Sequence, residues 1–373
     1  LKWSAAEGVL WKTPLPGRGN SSPIVIANRV FLQTASANGS ERALVCVDAT
    51  TGKVVWSRNL PGHSARMHPK NTLASGTPAT DGQRVYLASW DGKDLSLVAF
   101  DLTGELVWRR DLGHFAGQHG AGHSPIVEGG RVFFVDDQDG SAAVFAFDAA
   151  SGRPLWHVER AAFRACYSTP FVRSTGNGSE LVVASTAGVS AYDPASGDVN
   201  WNCQWPFARK PLRTVASPVE GAGLVFANAG DGDGSRDMIA VRPGTKADGG
   251  KAEVAWQESK SFPYVPTLLP HGDYLFSVSD SGIAACHQAA SGKRIWNERL
   301  GSPVSASPIL VGDRIYVSGE DGQVYVLAAS TTYRLLAKNS FDEPLMATPA
   351  VSDGKLYFRG KDHLFCIGKT AVK

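Results

Sequence analysis

The sequence predicts an all-β protein, an eight-bladed β-propeller of four-stranded antiparallel blades, read as one domain over 1–373. Three observations predict it. A short phrase ending in tryptophan recurs at near-regular spacing, four short strand patterns fit each interval, and the two chain ends carry complementary parts of one unit.

The phrase is DATTGKVVW, Asp48 to Trp56. It returns as DLTGELVW ending at Trp108, DAASGRPLW at Trp156, DPASGDVNW at Trp201 and QAASGKRIW at Trp296. Trp11 and Trp256 end weaker copies, and Leu336 in YRLLAKNSF ends a degenerate one. Successive spacings from Trp11 are 45, 52, 48, 45, 55, 40 and 40 residues. Eight such units nearly fill the chain, and repeats of this length stack because no single unit buries a core alone.

Within a unit the strands read in order. SPILVG opens at Ser307, with Pro308 tolerated because it gives up a ladder donor only at the strand's start. RIYVSG follows a Gly-Asp turn, VYVLAA follows Glu-Asp-Gly, and an outer strand closes the unit. Alternating apolar residues mark the strands, and Asp-Gly or Ser-Gly pairs mark the turns. In the opening phrase Gly52 supplies a positive φ and Asp48 caps the turn through its side chain. The indoles of Trp11, Trp56, Trp108, Trp156, Trp201, Trp256 and Trp296 are expected to dock one blade on the next.

The ends point to closure. MATPAVSDGKLYFRGKDHLFCIG supplies three strands and stops, whereas VLWKTPL around Trp11 supplies one strand with none before it. The N-terminal strand is therefore expected to complete the last blade and hide two sheet edges.

Composition narrows the function classes. The chain has 37 Lys and Arg against 35 Asp and Glu, which leaves no basic stripe for nucleic acid. No apolar run approaches the roughly 18 residues of a transmembrane helix. Five cysteines make no disulfide framework. Cys46, Cys286 and Cys366 fall at one equivalent place in three units and read as small buried side chains, and a bridge between Cys166 and Cys203 stays open.

The Asp-Ala-x-Thr/Ser-Gly-x-x-x-Trp phrase resembles the repeat of the pyrroloquinoline-quinone-type propellers. That family includes quinoprotein alcohol dehydrogenases and an outer-membrane assembly lipoprotein, so the resemblance implies the fold more sharply than the function. The dehydrogenases carry vicinal cysteines beside the quinone, and Glu, Asn and Asp around calcium. No two cysteines are adjacent here, and Cys-x-x-Cys-His is missing. The expectation is a non-catalytic binding or scaffolding module without cofactor. The alternative is a quinone- and calcium-dependent dehydrogenase, or a carbohydrate-active enzyme, at the same channel mouth. The sequence opens at Leu1 without a leader, and VLWKTPLPGRGNSSPIV resembles the start of compact exported propellers. A monomer in the periplasm or secreted medium is expected, meeting a protein partner or a small polar or carbohydrate ligand.

Candidate site residues lie in loops that depart from the repeat. GHSARMHPKNTLASGTP leads into blade 2 with His68, Lys70 and Asn71. GHFAGQHGAGHSP leads into blade 3 with His119, and ERAAFRACYSTP into blade 4 with Arg164 and Tyr167. The turn DDQDG adds Gln138 and Asp139. Three uses of this patch are open: solvation of the mouth, a pocket for a polar or anionic ligand, and metal or catalytic chemistry. Arg and Lys suit carboxylate or phosphate, and His and Tyr add directional bonds. No metal is expected. Asp231, Asp233 and Asp237 loosely resemble an acidic calcium loop but lack its bidentate Glu, and an Asp-Gly hairpin explains them as well. Ser124, beside His123, is not singled out as a nucleophile, because Ser or Thr before Pro recurs at Ser22, Thr77, Thr169, Ser217, Ser307 and Thr348. That hydroxyl is expected to bond strand-end backbone.

Overall fold

A computed structural model describes residues 2–3, 7–162, 164–176, 178–206, 210–245 and 249–369. The outer limits of the expected domain, residues 1 and 373, lie outside the described residues. Eight four-stranded antiparallel sheets form a ring. Blade 1 is built from Ile24–Ile26, Arg29–Ala35, Arg42–Asp48 and Val54–Leu60. Blades 2 to 7 follow over 79–114, 126–159, 171–203, 219–258, 269–299 and 309–340. Blade 8 takes Ala350–Ser352, Lys355–Arg359 and His363–Ile367 from the C-terminal part, and its fourth strand is Val9–Pro14. The closure expected from the two chain ends is present.

The core lies between blades rather than inside them. Phe31, Leu44 and Cys46 of blade 1 pack with Val85, Leu87, Val98 and Phe100 of blade 2, and Trp56 covers the cluster's rim. Each fully buried Leu or Phe contributes about 1.5–3 kcal/mol, so every blade depends on both neighbours. Cys46, Cys286 and Cys366 stand opposite Trp56, Trp296 and Trp11 in their ladders. All five cysteines are free and buried, so Cys166 and Cys203 are not bridged.

At the rim, every outer strand carries a register shift where its phrase ends, as between Cys46 and Val47 opposite Trp56. The extra residue bends the strand and re-aims the side chain that follows. Six of the seven tryptophans then donate Nε1–H to a carbonyl in the turn of the next blade. Trp11 reaches Ala49, Trp56 Leu102, Trp108 Ala149, Trp156 Pro194, Trp256 Ala289 and Trp296 Ser330, at 2.9–3.2 Å. The indole also covers that turn's glycine: a Cβ on Gly152 would lie 2.5 Å from the Trp108 ring. Glycine is required there twice over, for φ of +66° and for the ring's approach.

Two units differ. Trp201 donates instead to Glu180 Oε2 of its own blade at 3.0 Å. Glu180 also accepts from Asn200 and Arg173, and Arg173 pairs with Glu220 of blade 5 at 2.9 Å. In blade 7 the ladder partner in the tryptophan position is Ala337, with Leu336 as the bulged residue, because the preceding turn is one residue longer.

At the hub, hydroxyls link the inner strands. Backbone N–H groups donate from Ser217 to Thr267, Thr267 to Ser307, Ser307 to Thr348, Thr348 to Ser22, Ser22 to Thr77 and Thr77 to Ser124, at 2.9–3.2 Å. The Thr348–Ser22 bond and the Trp11–Ala49 bond both join blade 8 to blade 1. Thr267 holds this place in blade 6 without a following Pro.

Candidate functional site

The loops entering blades 2 to 6 converge over the hub. Asn71 ties the first two together, donating Nδ2 to the carbonyls of His119 at 2.8 Å and Ala121 at 3.1 Å. The backbone N–H of His68 donates to the same His119 carbonyl at 3.1 Å, and the two imidazoles meet edge to face with centroids 5.1 Å apart. Tyr167 N–H donates to Thr214 O at 2.8 Å, fastening the loop into blade 4 to the loop into blade 5. These bonds satisfy loop backbone that would otherwise be stranded, and they fix the side chains the loops carry.

Between the loops lies a cavity of about 420 Å³. Of the eight ligand-binding residues expected from the sequence, His68, Lys70, Asn71, His119, Arg164 and Tyr167 line it. Gln138 and Asp139 do not. Gln138 is buried, accepting from Ala116 N–H at 2.7 Å and donating to Asp136, while Asp139 accepts from Ala165 N–H at 2.8 Å. Both support the loops from below, since turn carboxamides and carboxylates pair most readily with nearby orphan amides.

The acidic trio disperses. Asp231 lines the cavity and pairs with Arg164 and Lys210, each at 3.0 Å. Burial pushes its carboxyl up, but Lys210, the Gly232 N–H and Arg164 prevail and hold it at about 2. Asp233 is held low chiefly by Lys210, 2.9 Å away. Asp237 is buried in blade 5, where Gln257 donates to both its oxygens. Among the described residues, no group of three His, Cys, Asp or Glu side chains is placed to hold a metal ion. The one carboxylate lining the cavity among the described residues, Asp231, is already paired with two cations, so the side chains present do not fit the calcium half of a quinone–calcium pair.

Arg213, Tyr264 and Asn20 are among the lining residues that were not singled out from the sequence. Arg213 reaches in from the loop into blade 5, donating Nη1–H to His119 Nε2 at 3.0 Å and Nη2–H to Gln118 Oε1 at 3.2 Å. Tyr264 comes from the loop into blade 6, and Asn20 from the approach to blade 1. Arg213 had a signal: RKPLRTVASP is as irregular as the other lining loops. Tyr264 sits in a plainer stretch and had none.

The cavity's electrostatics follow from burial. Burial lowers the His119 pKa, and Arg213 and then His68 lower it further, which keeps the imidazole neutral. Burial raises the hydroxyl of Tyr167, and that of Tyr264 to about 12, so both remain O–H donors. Lys70 spans the mouth to Glu320 of blade 7 at 2.6 Å.

The ring and its repeated rim phrase define the class: an eight-bladed propeller of pyrroloquinoline-quinone-type repeats. Within that class the chain belongs to the outer membrane protein assembly factor BamB family, whose model matches residues 1–93, 40–280 and 253–336. An outer membrane protein assembly factor BamB of Burkholderia pseudomallei is 26% identical over 96% of this chain and 85% of its own length. One from Moranella endobia is 28% identical over 42% of this chain. The quinone alcohol dehydrogenase subunit of Gluconobacter oxydans is 32% identical over 37%. These last two matches span only 36% and 19% of the relatives' own lengths. Among solved structures, BamB from Moraxella catarrhalis superposes with a TM-score of 0.69 at 14% identity, covering 98% of each chain. Quinohemoprotein alcohol dehydrogenase from Comamonas testosteroni gives 0.66 at 13%, covering 100% of this chain and 79% of its own. Identities this low speak for the fold alone.

Proposed function

We propose that this protein is an exported, non-catalytic binding propeller of the periplasm, and that its hub cavity is the recognition site for a protein partner or a small polar ligand. The observation that carries the reading is the cavity itself. Four loops from separate blades fasten His68, Lys70, Asn71, His119, Arg164, Tyr167 and Arg213 around one space of about 420 Å³. That is within the usual size range of ligand sites, and polar groups converging in a concave, partly apolar space are what such sites require. Membership in a family of outer membrane assembly factors supports a protein partner in the cell envelope. Function within a shared fold rests on the site, and this site offers hydrogen-bond donors and one aromatic pair rather than a nucleophile with its base.

The test is capture from envelope extract by immobilised protein, with partners identified by mass spectrometry. The wild type is expected to retain a defined outer-membrane assembly component, and the His119→Ala/Arg164→Ala double variant to lose it while keeping the wild-type circular dichroism spectrum. Equal capture by both proteins would move recognition away from the hub.

A further inference from the structure

Four cationic side chains stand in or beside the hub cavity, and three have carboxylate partners. Lys70 holds Glu320 at 2.6 Å, Arg164 holds Asp231 at 3.0 Å, and Lys210 holds Asp231 and Asp233 at 3.0 and 2.9 Å. Arg213 has none within 4.0 Å among the described residues. Its bonded partners are the neutral imidazole of His119 and the amide of Gln118, and its Nε–H has no partner. The residue is only 4% exposed. A guanidinium keeps its proton under all ordinary conditions, so a buried one without an anion is an unpaid desolvation cost.

Two other arginines, Arg42 and Arg359, are also buried without an ion pair. Each donates to a main-chain carbonyl, His63 O at 2.7 Å and Ser21 O at 2.9 Å, which supplies partial negative charge from the fold itself. Arg213 has no such side-chain bond. Beside it in the cavity are Tyr167, whose hydroxyl has no partner, and Tyr264. Val215, Val265 and Met346 form an apolar wall.

We propose that Arg213 is the anchor for a carboxylate carried on a compact apolar body, bound in this cavity. Of the five guanidinium N–H groups two are engaged, and a carboxylate oxygen pair accepts from those that remain in the planar geometry arginine favours. The tyrosine hydroxyls complete the shell as donors. A monoanion suits the site better than a phosphate dianion, because the neighbouring cations are already neutralised and a single positive charge is uncompensated. The apolar wall holds the rest of the ligand. This inference rests on the cavity being a recognition site. A peptide C-terminus and a free organic acid share the required chemistry.

Isothermal titration calorimetry tests it with three probes: N-acetyl-Ala-Phe with a free carboxylate, the same dipeptide as its C-terminal amide, and phenylacetate. At least one acid is expected to bind, with the dipeptide acid at least about tenfold tighter than its amide if it is the binder, the loss typical of a charged hydrogen bond. Arg213→Gln is expected to weaken the acid about tenfold and leave the amide unchanged. Arg213→Lys, which keeps the charge and loses the fork, falls between. Because the acid–amide comparison is made on the wild type, it does not depend on any variant folding. Binding of the dipeptide acid alone identifies a peptide terminus, and binding of phenylacetate alone identifies a small acid. Equal binding of acid and amide, or no binding of either acid at millimolar concentration, overturns the carboxylate. In that event the His119→Ala/Arg164→Ala capture experiment separates the two ideas. Partner loss there keeps the hub as the recognition site with a different ligand, and unchanged capture removes the site as well.

Discussion

Arg213 Nη1 lies 3.0 Å from His119 Nε2, and this contact fixes both a proton and a charge. A guanidinium nitrogen can only donate, so His119 Nε2 must accept and its proton sits on Nδ1. The same cation, after burial, disfavours a second proton on the ring. His119 is thus a neutral imidazole of one defined tautomer, held in place by the residue proposed to receive the ligand.

The titration of His119 follows. Its pKa is expected below the ordinary histidine value in the wild type and closer to that value in Arg213→Gln, which removes the second-largest cause and leaves burial and His68. Long-range proton–nitrogen NMR correlations report both the titration and the tautomer. A histidine here that titrates at or above its ordinary value, or that carries its proton on Nε2, would remove the Arg213 bond from the description.

The rim makes a prediction about glycines. Gly152 and Gly82 have φ of +66° and +88°, so replacement by Ala costs each about 1–2 kcal/mol of left-handed strain. Only Gly152 lies under an indole; a Cβ on Gly82 meets nothing within 4 Å. Urea unfolding should therefore show Gly152→Ala less stable than Gly82→Ala, by about 1 kcal/mol or more, the range for forcing extra volume into a packed contact. Equal losses would mean that the ring does not bear on the turn.

What the sequence made legible tracks how local each signal is. The blade count, the seam and the rim all follow from short phrases, because a turn glycine, a bulge and an indole lie within ten residues of one another. Thr267 was hidden because its blade lacks the proline that marks the other hub hydroxyls, and the shift from Leu336 to Ala337 was hidden by one extra turn residue. Polarity located the hub loops and so found His68, Lys70, Asn71, His119, Arg164 and Tyr167. It did not reveal direction: Gln138 and Asp139 are just as polar, yet they turn toward neighbouring amides. Arg213 sits in a loop, RKPLRTVASP, as irregular as the others, whereas Tyr264 reaches the cavity only through the ring's closure, a tertiary consequence that no local pattern contains.

Trp201 departs from the rim pattern, and the departure concentrates load on one carboxylate. Glu180 accepts from Trp201 Nε1, Asn200 Nδ2 and Arg173 Nη1, and it lies buried at the edge between blades 4 and 5. Glu180→Ala leaves all three donors without that acceptor, at an expected cost of about 3 kcal/mol or more. Glu180→Gln keeps an acceptor for the indole and should cost less. The distinguishing measurement is denaturant unfolding of both variants; if the alanine variant is as stable as the glutamine variant, blades 4 and 5 are held by packing alone.

The last prediction concerns acid. His123 is buried among Phe115, Phe134 and Tyr167, with ring centroids 5.2, 5.9 and 5.4 Å away. Burial lowers its pKa from 6.5 to about 4 and outweighs the main chain of Asp137 and Cys166, which favours the charged ring. The unfolded chain takes a proton near pH 6.5 and the folded chain does not until about pH 4. The stability associated with His123 is therefore complete above 6.5 and is lost as pH falls from there toward 4. His287, also lowered to about 4 by burial, acts in the same direction. Asp136, raised to about 7 by burial and by Asp137, acts oppositely, stabilising most below its unfolded value and losing that contribution as pH rises through 7. Asp137, raised by burial against the pull of Arg160, adds to that opposing effect. Total stability against pH mixes these groups, whereas the difference between wild type and His123→Phe isolates one. Taking their difference at pH 8 as baseline, the phenylalanine variant should gain on the wild type progressively below pH 6.5, approaching about 1.4 kcal/mol per pH unit until pH 4. Denaturant midpoints at half-unit pH intervals supply the measurement. A difference that stays constant from pH 8 to pH 4 would mean that His123 takes up its proton in the folded ring as readily as in the open chain, and that the aromatic enclosure does not exclude its charge.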